Sequence, residues 1–533
     1  MLNFLPVFFV FITILVLLVL QRIRIPIGTT WLILAGMTIL NWGSLLFLRT
    51  RLPDALVIAN WFPGAISSDS LILHMDVNTW LLVFALASLL VTILFSSAGH
   101  LHEPTIFRQL IEILLLTAVG MLALLADSPL AFLLTWALID LVELIVFTIV
   151  LQEQTLNVQT IAIFLGRTLG LGFVIMGMAL SAKNQTPLEL GNTSGAVLTL
   201  LIAGAALRLG VLPLHLPYLQ EMEKRRNLSN ILRLLAPLSV FAFLSKLAAP
   251  QMITGWNLLI LLFAVLSSLF GAVNWFNSKD ELRGRPYWLL FFSGFALLSY
   301  LRGQPEGVVI WGLLMVTVGG WISLCEYHTG KIDFLLPVAI LNLSGIPFTP
   351  AAIALIGIMV GPFQGLNIIL WLSLALIMAG IIRISLKTSN SSIGNENWMR
   401  LFYSLGMRLL MFSPWVILVF KYANWKTIQS WWVAAITLLI LTSVLLLNYS
   451  VKVRSRFQNS RVVKGFYYFE PFAQWMNRFL HLDWFYQFLA FLFKIQQRII
   501  EGINVILEGA GGILWALVFL ALLVSLLVSG KSG

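Results

Sequence analysis

Apolar runs long enough to cross a lipid bilayer recur from one end of this 533-residue chain to the other. A helix needs roughly 20 predominantly apolar residues to span the hydrocarbon core, and about 16 segments meet that length. Hydrophobic residues make up 59% of the chain and charged residues only 10%, which is more apolar surface than a water-soluble fold could cover. The sequence therefore predicts an all-α polytopic membrane protein of about 16 transmembrane helices.

The basic residues are placed as in a membrane protein rather than as in a nucleic-acid-binding protein. The net charge is +11, but the Lys and Arg residues lie in short gaps between apolar runs and form no basic face. Roughly 18 of them fall in alternate gaps, against about 7 in the others, and cytoplasmic loops carry such an excess. This asymmetry predicts an integral protein of the bacterial inner (cytoplasmic) membrane, with the N-terminus outside and no nucleic-acid partner.

The stretch from 451 to 510 differs from the rest of the chain. Aromatic residues alternate there with basic ones, such as Trp475 with Arg478 and Phe491 with Lys494. This pattern predicts an amphipathic helix that lies along the membrane or against neighbouring subunits; a surface-bound linker without a partner is the alternative. A Gly-rich break follows, and the last span falls within 511–533.

Two Pro-interrupted segments indicate an internal repeat. One carries Gly210, Pro213 and Pro217, and the other carries Gly345, Pro347 and Pro350. Paired broken helices of opposite direction are typical of inverted-topology transporter repeats. The predicted regions are helices 1 to 3 (1–108), a first five-helix repeat (109–251), a second, inverted one (252–388), helices 14 and 15 (389–450), the lateral helix (451–510) and the final span (511–533).

Several short motifs resemble the antiporter-like membrane subunits of respiratory complex I, of Mrp-type sodium/proton antiporters and of related hydrogenase and bicarbonate-accumulating complexes. These motifs are Leu212-Pro213-Leu214-His215, similar to the start of that family's "PLHxWLP" segment; Trp61-Phe-Pro-Gly; Asp76-Val-Asn-Thr-Trp80; Trp136, in the place of its "WE" tryptophan; and Gly345-Ile-Pro347. A lateral helix before one last span is similar to the family's longest subunit type. The resemblance implies a bundle that moves protons or cations beside other membrane subunits, including antiporter-like neighbours.

Ionisable residues inside the predicted spans are the candidate functional groups, because a charge within a membrane is costly and is retained for a reason. We expect His215 to follow Arg208 on one face of a single span, 196–217. A carboxylate near an arginine can neutralise it, and a histidine can exchange protons near neutral pH. Structural ion pairs are the alternative. The proton-path candidates are Asp140, Glu143, Arg167, Arg208, His215, Arg233 and Lys246.

Two departures from the family bear on that path. Ala137 stands where the family has its glutamate, which leaves Asp140 and Glu143 as substitutes. Arg208 stands where it has a lysine, and arginine keeps its proton under essentially all conditions. In the second half, the spans predicted over 287–301, 307–325, 334–360 and 367–382 contain no Asp, Glu, Lys, Arg or His.

Three functions fit this sequence. The first is a proton- or cation-translocating membrane subunit of a complex I-like or Mrp-like assembly. The second is a non-conducting subunit that braces the assembly through its lateral helix, and the third is an energising subunit for inorganic-carbon uptake. The chain has no nucleotide-binding motif and no cluster of metal ligands, so we expect no cofactor, no metal and no catalytic site of its own; whether it belongs to an NADH:quinone oxidoreductase-like enzyme is open.

Overall fold

A computed structural model describes residues 4–59, 71–103, 105–150, 158–184, 188–193, 195–212, 226–250, 255–278, 281–325, 334–360, 364–386, 396–421 and 429–455, together with residues 491 and 498. The chain divides into two compact units, Met1–Met476 and Asn477–Gly533. The predicted lateral helix (451–510) and final span (511–533) lie outside the described residues, except for 451–455, 491 and 498.

The described residues of the first unit form α-helices and one short β-hairpin. The helices are α1 (Leu5–Ile23), α2 (Ile27–Leu48), α3 (Val77–Ser96), α4 (Ile106–Leu125), α5 (Pro129–Val150), α6 (Val158–Lys183), α7 (Gly195–Arg208), α8 (Arg226–Lys246), α9 (Trp256–Asn277), α10 (Glu281–Leu301), α11 (Pro305–Leu314), α12 (Gly320–Leu324), α13 (Leu335–Leu343), α14 (Pro350–Val360), α15 (Asn367–Ser385), α16 (Asn397–Lys421) and α17 (Gln429–Ser455). A π-helical turn, Met315–Gly319, joins α11 to α12 in one continuous rod.

Ten helices of the described part are long and apolar enough to cross a membrane. They are α1, α2, α3, α4, α5, α6, α8, α9, the α11–α12 rod and α15. The predicted class, an all-α polytopic membrane protein, is thereby confirmed. The number of 16 spans and the two inverted five-helix repeats stay predictions.

Three of these helices form the centre of the bundle. The apolar segments of α3 and of the α11–α12 rod are buried along their whole length, and that of α8 is 94% buried. The segments of α1 and α6 are less than half buried, and their exposed faces carry residues such as Phe8, Leu15 and Met176. Apolar side chains that point outward are expected where a helix faces lipid or another membrane subunit.

Tryptophan side chains fasten neighbouring helices to one another. In hydrocarbon the hydrophobic effect does not drive helices together, so close packing and hydrogen bonds must do so. The indole of Trp31 donates to the carbonyl of Leu94 at 2.8 Å, which joins α2 to α3. Trp275 on α9 donates to the carbonyl of Ile377 on α15 at 3.2 Å.

The β-hairpin was not expected from the sequence. Strand β1 (Asp54–Ala59) pairs antiparallel with β2 (Leu71–Met75), directly before α3. The hairpin lies against the bundle, because the amide of Asp127, just before α5, donates to the carbonyl of Ile72 at 3.0 Å. We call this side of the bundle the hairpin end.

Helix α10 begins earlier than predicted, and this corrects the picture of an uncharged second half. The predicted span started at 287, after Pro286, but the helix starts at Glu281. Glu281 and Arg285 lie one turn apart and form an ion pair, which supports a helical first turn in spite of the proline. Arg285 is buried and also donates to the carbonyl of Ser323 at 2.8 Å. A charged pair is therefore buried in the second half, at a helix end.

The segment 334–360 consists of two helices with a break between them. α13 ends at Leu343 and α14 begins at Pro350, with Pro347 inside the break. Gly345 and Phe348 have positive φ angles, which end helical geometry. Asn342, just before the break, donates to the carbonyl of Met411 and accepts from the indole of Trp415 at 2.7 Å. The side-chain amide of Asn342 thus links α13 to α16.

Helix α7 is shorter than predicted. Arg208, placed near the middle of a span over 196–217, is its last residue. Gly210 has a positive φ of 71°, a conformation that does not continue a helix and favours glycine. The helix predicted over 196–217 is therefore interrupted at 209–212, and the expectation for His215 stays a prediction. His215, Pro213 and Pro217 lie outside the described residues.

Candidate functional site

One face of α5 carries both acidic candidates. Phe132, Trp136, Asp140 and Glu143 follow one another at intervals of four, four and three residues, so they line one side of the helix. The opposite side presents exposed Leu141 and other apolar residues. Because a membrane helix keeps its ionisable groups toward the bundle, the sequence pattern itself orients α5.

Two arginines from the next two helices bind these carboxylates. Arg208 holds Asp140 with two hydrogen bonds, from Nη1 to Oδ2 at 2.7 Å and from Nη2 to Oδ1 at 3.1 Å. Arg167 donates through Nη1 to Glu143 and lies 3.5 Å from Asp140 Oδ1. Nη1 of Arg208 also donates to the carbonyl of Arg167 at 3.3 Å. We call these four residues the central charge cluster.

Two glycines allow α6 and α7 to bring the arginines this close. A β-carbon on Gly170 would lie 2.6 Å from Arg208 Cγ and 2.8 Å from the carbonyl oxygen of Gly204. A β-carbon on Gly204 would lie 2.8 Å from the carbonyl oxygen of Gly170. Small residues at a crossing let membrane helices approach closely, and here they admit the stem of Arg208 between α6 and α7.

The central charge cluster is neutral in sum and almost dry. Glu143 and Arg208 are each 1% exposed, and Asp140 is 13% exposed. Two carboxylates balance two guanidinium groups, which is the condition under which buried charges are tolerated. Oε1 of Glu143 and Nε of Arg208 are buried without a hydrogen-bond partner in the described part of the chain, and so is Nε1 of the neighbouring Trp136. Internal water is the usual partner of such atoms.

A second group of charged residues lies at the hairpin end. Lys246, the last residue of α8, has its Nζ 3.1 Å from Asp127 Oδ1 and donates to the carbonyl of Ala126 at 2.6 Å. His74 of β2 has its Nδ1 3.5 Å from Asp127 Oδ2. Asp76 begins α3 and accepts from the amide of Thr79 at 2.8 Å. We call His74, Asp76, Asp127 and Lys246 the hairpin-end cluster.

The environment of Asp76 favours its ionised form. Burial raises the pKa of Asp76, but the hydrogen bonds from Thr79 and the positive charges of Lys246 and His74 outweigh burial, so the pKa lies below its ordinary value of 3.8. A carboxylate with a lowered pKa stabilises the fold at any pH above its ordinary pKa. That contribution is lost as the pH falls through the lowered pKa.

Replacement of Asp76 by Ala should destabilise the protein by about 1 kcal/mol, because it removes the side-chain cap of α3. Asp76→Asn is the matched control, since asparagine also caps a helix but carries no charge. We expect the midpoint of thermal unfolding in detergent at neutral pH to fall in the order wild type, Asn, Ala. An Ala variant as stable as the wild type would contradict the capping role.

Two further candidates lie on α8. Arg233 is buried within α8, and Lys246 belongs to the hairpin-end cluster. Sequence reasoning did not single out Asp127 and His74, because both stand outside the predicted spans. The signal that could have identified Asp127 is its place immediately before a helix of the same bundle. Among the described residues, no group of three or more His, Cys, Asp or Glu side chains could hold a metal ion.

Several solved structures share this fold, among them chains of an Mrp complex, of a membrane-bound sulfane sulfur reductase and of respiratory complex I. A chain of the Mrp complex from Dietzia sp. superposes with a TM-score of 0.68 at 13% identity, over 99% of this chain and 63% of that one. A chain of the archaeal membrane-bound sulfane sulfur reductase gives 0.65 at 12% identity, over 99% of both chains. A chain of respiratory complex I from Thermus thermophilus gives 0.58 at 16% identity, over 78% of this chain and 98% of that one.

These likenesses confirm the antiporter-like fold that the sequence motifs suggested. This chain spans less than two thirds of the Mrp chain that it matches. No protein-family model matches the sequence, and no curated protein matches it either.

Proposed function

We propose that this chain is a membrane subunit of a multisubunit assembly of the Mrp and complex I kind, and that its central charge cluster takes part in proton movement. Its partners in that assembly are other membrane subunits, including antiporter-like neighbours. The fold supports the first part of the proposal. The observation that carries the second is the buried, doubly paired set of Asp140, Glu143, Arg167 and Arg208.

Within the cluster, only the two carboxylates can bind and release a proton. Both arginines stay charged at any physiological pH, so they set the electrostatic field and cannot carry protons. Protonation of Asp140 would remove the charge that neutralises Arg208, and the two guanidinium groups would then compete for Glu143. A proton on either carboxylate therefore changes the pairing of the whole cluster.

The same geometry favours protons over sodium ions as the transported species. A hard cation needs several oxygen ligands. Both carboxylate oxygens of Asp140 are engaged by Arg208, and Oε2 of Glu143 is engaged by Arg167. The cluster has no set of oxygens left that could surround a metal cation.

The direct test is proton flux in vesicles that contain the intact complex. We expect Asp140→Asn combined with Glu143→Gln to lower the flux at least tenfold. Because this change leaves two buried arginines without carboxylates, a second variant, Asp140→Asn with Arg208→Gln, removes one pair and leaves the Glu143–Arg167 pair in place.

Glu112→Gln is the matched control, since Glu112 on α4 is buried to a similar degree and pairs with Arg108 at 2.9 Å outside the cluster. Native gels report assembly of each variant. Wild-type flux in fully assembled complexes of both cluster variants would refute proton movement through this chain.

A bracing, non-conducting role is the second candidate. One observation favours it: from α9 to α15 the ionisable residues of the helices stand at helix ends, as with the Glu281–Arg285 pair and Arg383. These helices thus carry no Asp, Glu, Lys, Arg or His away from their ends. In this role the cluster variants would conduct like the wild type but assemble less well.

The membrane orientation and the type of complex belong to the proposal as well. The excess of basic residues in alternate gaps supports a bacterial inner membrane with the N-terminus outside, which would turn the hairpin end outward. Identification of the co-purifying subunits would distinguish a respiratory or antiporter complex from one that takes up inorganic carbon.

A further inference from the structure

The hairpin-end cluster and the central charge cluster are joined by a row of aromatic side chains. Lys246 Nζ lies 5.9 Å from the ring centroid of Phe132. The rings of Phe132 and Trp136 lie 5.9 Å apart, and the guanidinium carbon of Arg208 lies 4.6 Å from the Trp136 ring. Phe243 of α8 packs edge-on against both rings, at 5.0 and 5.1 Å. The row runs from the hairpin end of α5 to the middle of that helix.

The two ends of this row differ in their access to water. Asp127 and His74 are 31% and 27% exposed, whereas the side chain of Lys246 is only 9% exposed. Lys246 therefore stands between an accessible carboxylate on one side and buried aromatic rings on the other. A lysine in such a position can give up its proton, which arginine cannot do.

Trp136 supplies a polar atom within an otherwise apolar row. Its ring is fully buried, and its Nε1 has no hydrogen-bond partner in the described part of the chain. A buried indole N–H costs free energy unless an acceptor meets it, and a water molecule is the acceptor that such sites hold. A water at Trp136 Nε1 would lie at the edge of the ring that Arg208 contacts.

We propose that Lys246 is a second proton-exchange site of this chain, linked to the central charge cluster along the Phe132–Trp136 face of α5. This inference rests on the proposed function. The Nζ–H bond of Lys246 breaks, and the proton passes through water at Trp136 to the carboxylate of Asp140 or Glu143. Neutral Lys246 regains a proton from the Asp127 carboxyl group, which is itself reprotonated from solvent at the hairpin end. Proton movement from the central charge cluster to the hairpin end takes the same steps in reverse.

The deciding variant is Lys246→Arg. Arginine keeps the positive charge, the ion pair with Asp127 and the contact with Phe132, but it does not release its proton. We expect proton flux in vesicles with the intact complex to fall at least tenfold for Lys246→Arg, and severalfold for Trp136→Phe, which removes only the indole N–H. Arg383→Lys is the matched control, because it exchanges one cationic side chain for the other at the end of α15. There, Arg383 donates to one backbone carbonyl in α9 and to another just after the end of α9.

Asp140→Asn with Arg208→Gln is measured in the same preparation, so that failure of this inference and failure of the proposed function are separated. Wild-type flux for Lys246→Arg together with low flux for the Asp140 and Arg208 variant would overturn the role of Lys246 and leave the proposed function standing. Wild-type flux for both would overturn both. Low flux for both, in complexes that native gels show to be assembled, is the expected result.

Discussion

Replacement of Arg208 by Met should destabilise the bundle by about 3–5 kcal/mol, because it leaves the Asp140 carboxylate buried without its main partner. Arg167 lies 3.5 Å from Asp140 but is already engaged with Glu143. The contact of the guanidinium group with the Trp136 ring is lost as well, which adds about 1 kcal/mol. The free energy of unfolding in mild detergent, or the midpoint of thermal unfolding, measures the effect.

A second substitution in the same pair isolates its cause. With Asp140→Asn added to Arg208→Met, no unpaired carboxylate remains, so much of the lost stability should return. The coupling free energy of this double-mutant cycle reports the ion pair itself. Arg22→Met is the matched control, since Arg22 is exposed in the last turn of α1. Equal effects of the Arg208 and Arg22 variants would contradict a buried, paired Arg208.

The members of the central charge cluster could be identified from the sequence, but their pairing could not. A charge inside a run of apolar residues stands out, because retaining it in a membrane is costly. The partner of Asp140, however, is Arg208 on a helix two elements further along the chain, rather than Arg167 on the next one. The close crossing of Gly170 and Gly204 decides this choice, and such a crossing is set by tertiary packing.

Short elements were predicted less well than long ones. The strands of the hairpin are segments of six and five residues, too short for their hydrophobic pattern to be told from a loop. The start of α10 was misplaced because Glu281, Arg285 and Pro286 have the composition of a loop. Only the ion pair between Glu281 and Arg285, and the donation of Arg285 to Ser323, make that turn a buried part of the helix.

The hairpin-end cluster shows a further limit of the sequence. Lys246 was recognised as a candidate, yet its neighbours His74 and Asp127 come from the hairpin and from the segment before α5. Antiparallel strand pairing and the bond from Asp127 to Ile72 bring them together. His74 and Asp127 lie outside every predicted span, yet they form a cluster with Lys246, which lies near the end of one.

Replacement of Gly271 by Val should cost about 1–3 kcal/mol through overpacking at the contact between α9 and α10. A β-carbon at this position would lie 2.4 Å from the carbonyl oxygen of Tyr287 and 2.8 Å from the amide nitrogen of Phe291. Both are backbone atoms of α10, so no side-chain rotation can relieve the clash and the two helices must separate. Gly36→Val on α2 is the matched control, because no neighbouring atom of the described residues would lie within 4 Å of a β-carbon added there. Thermal unfolding in detergent compares the two variants.

The same Gly271 variant tests how the two halves of the bundle divide their roles. Suppose that proton movement depends on the central charge cluster and that the second half provides rigid packing. Gly271→Val should then reduce the amount of assembled complex. The flux of each assembled complex should stay within about twofold of the wild type, because no titratable group is moved along α5 to α8. The variants of Asp140 and Lys246 should behave in the opposite way. A loss of flux per assembled complex in Gly271→Val that equals the loss in the Asp140 and Arg208 variant would instead show that the second half is part of the conducting path.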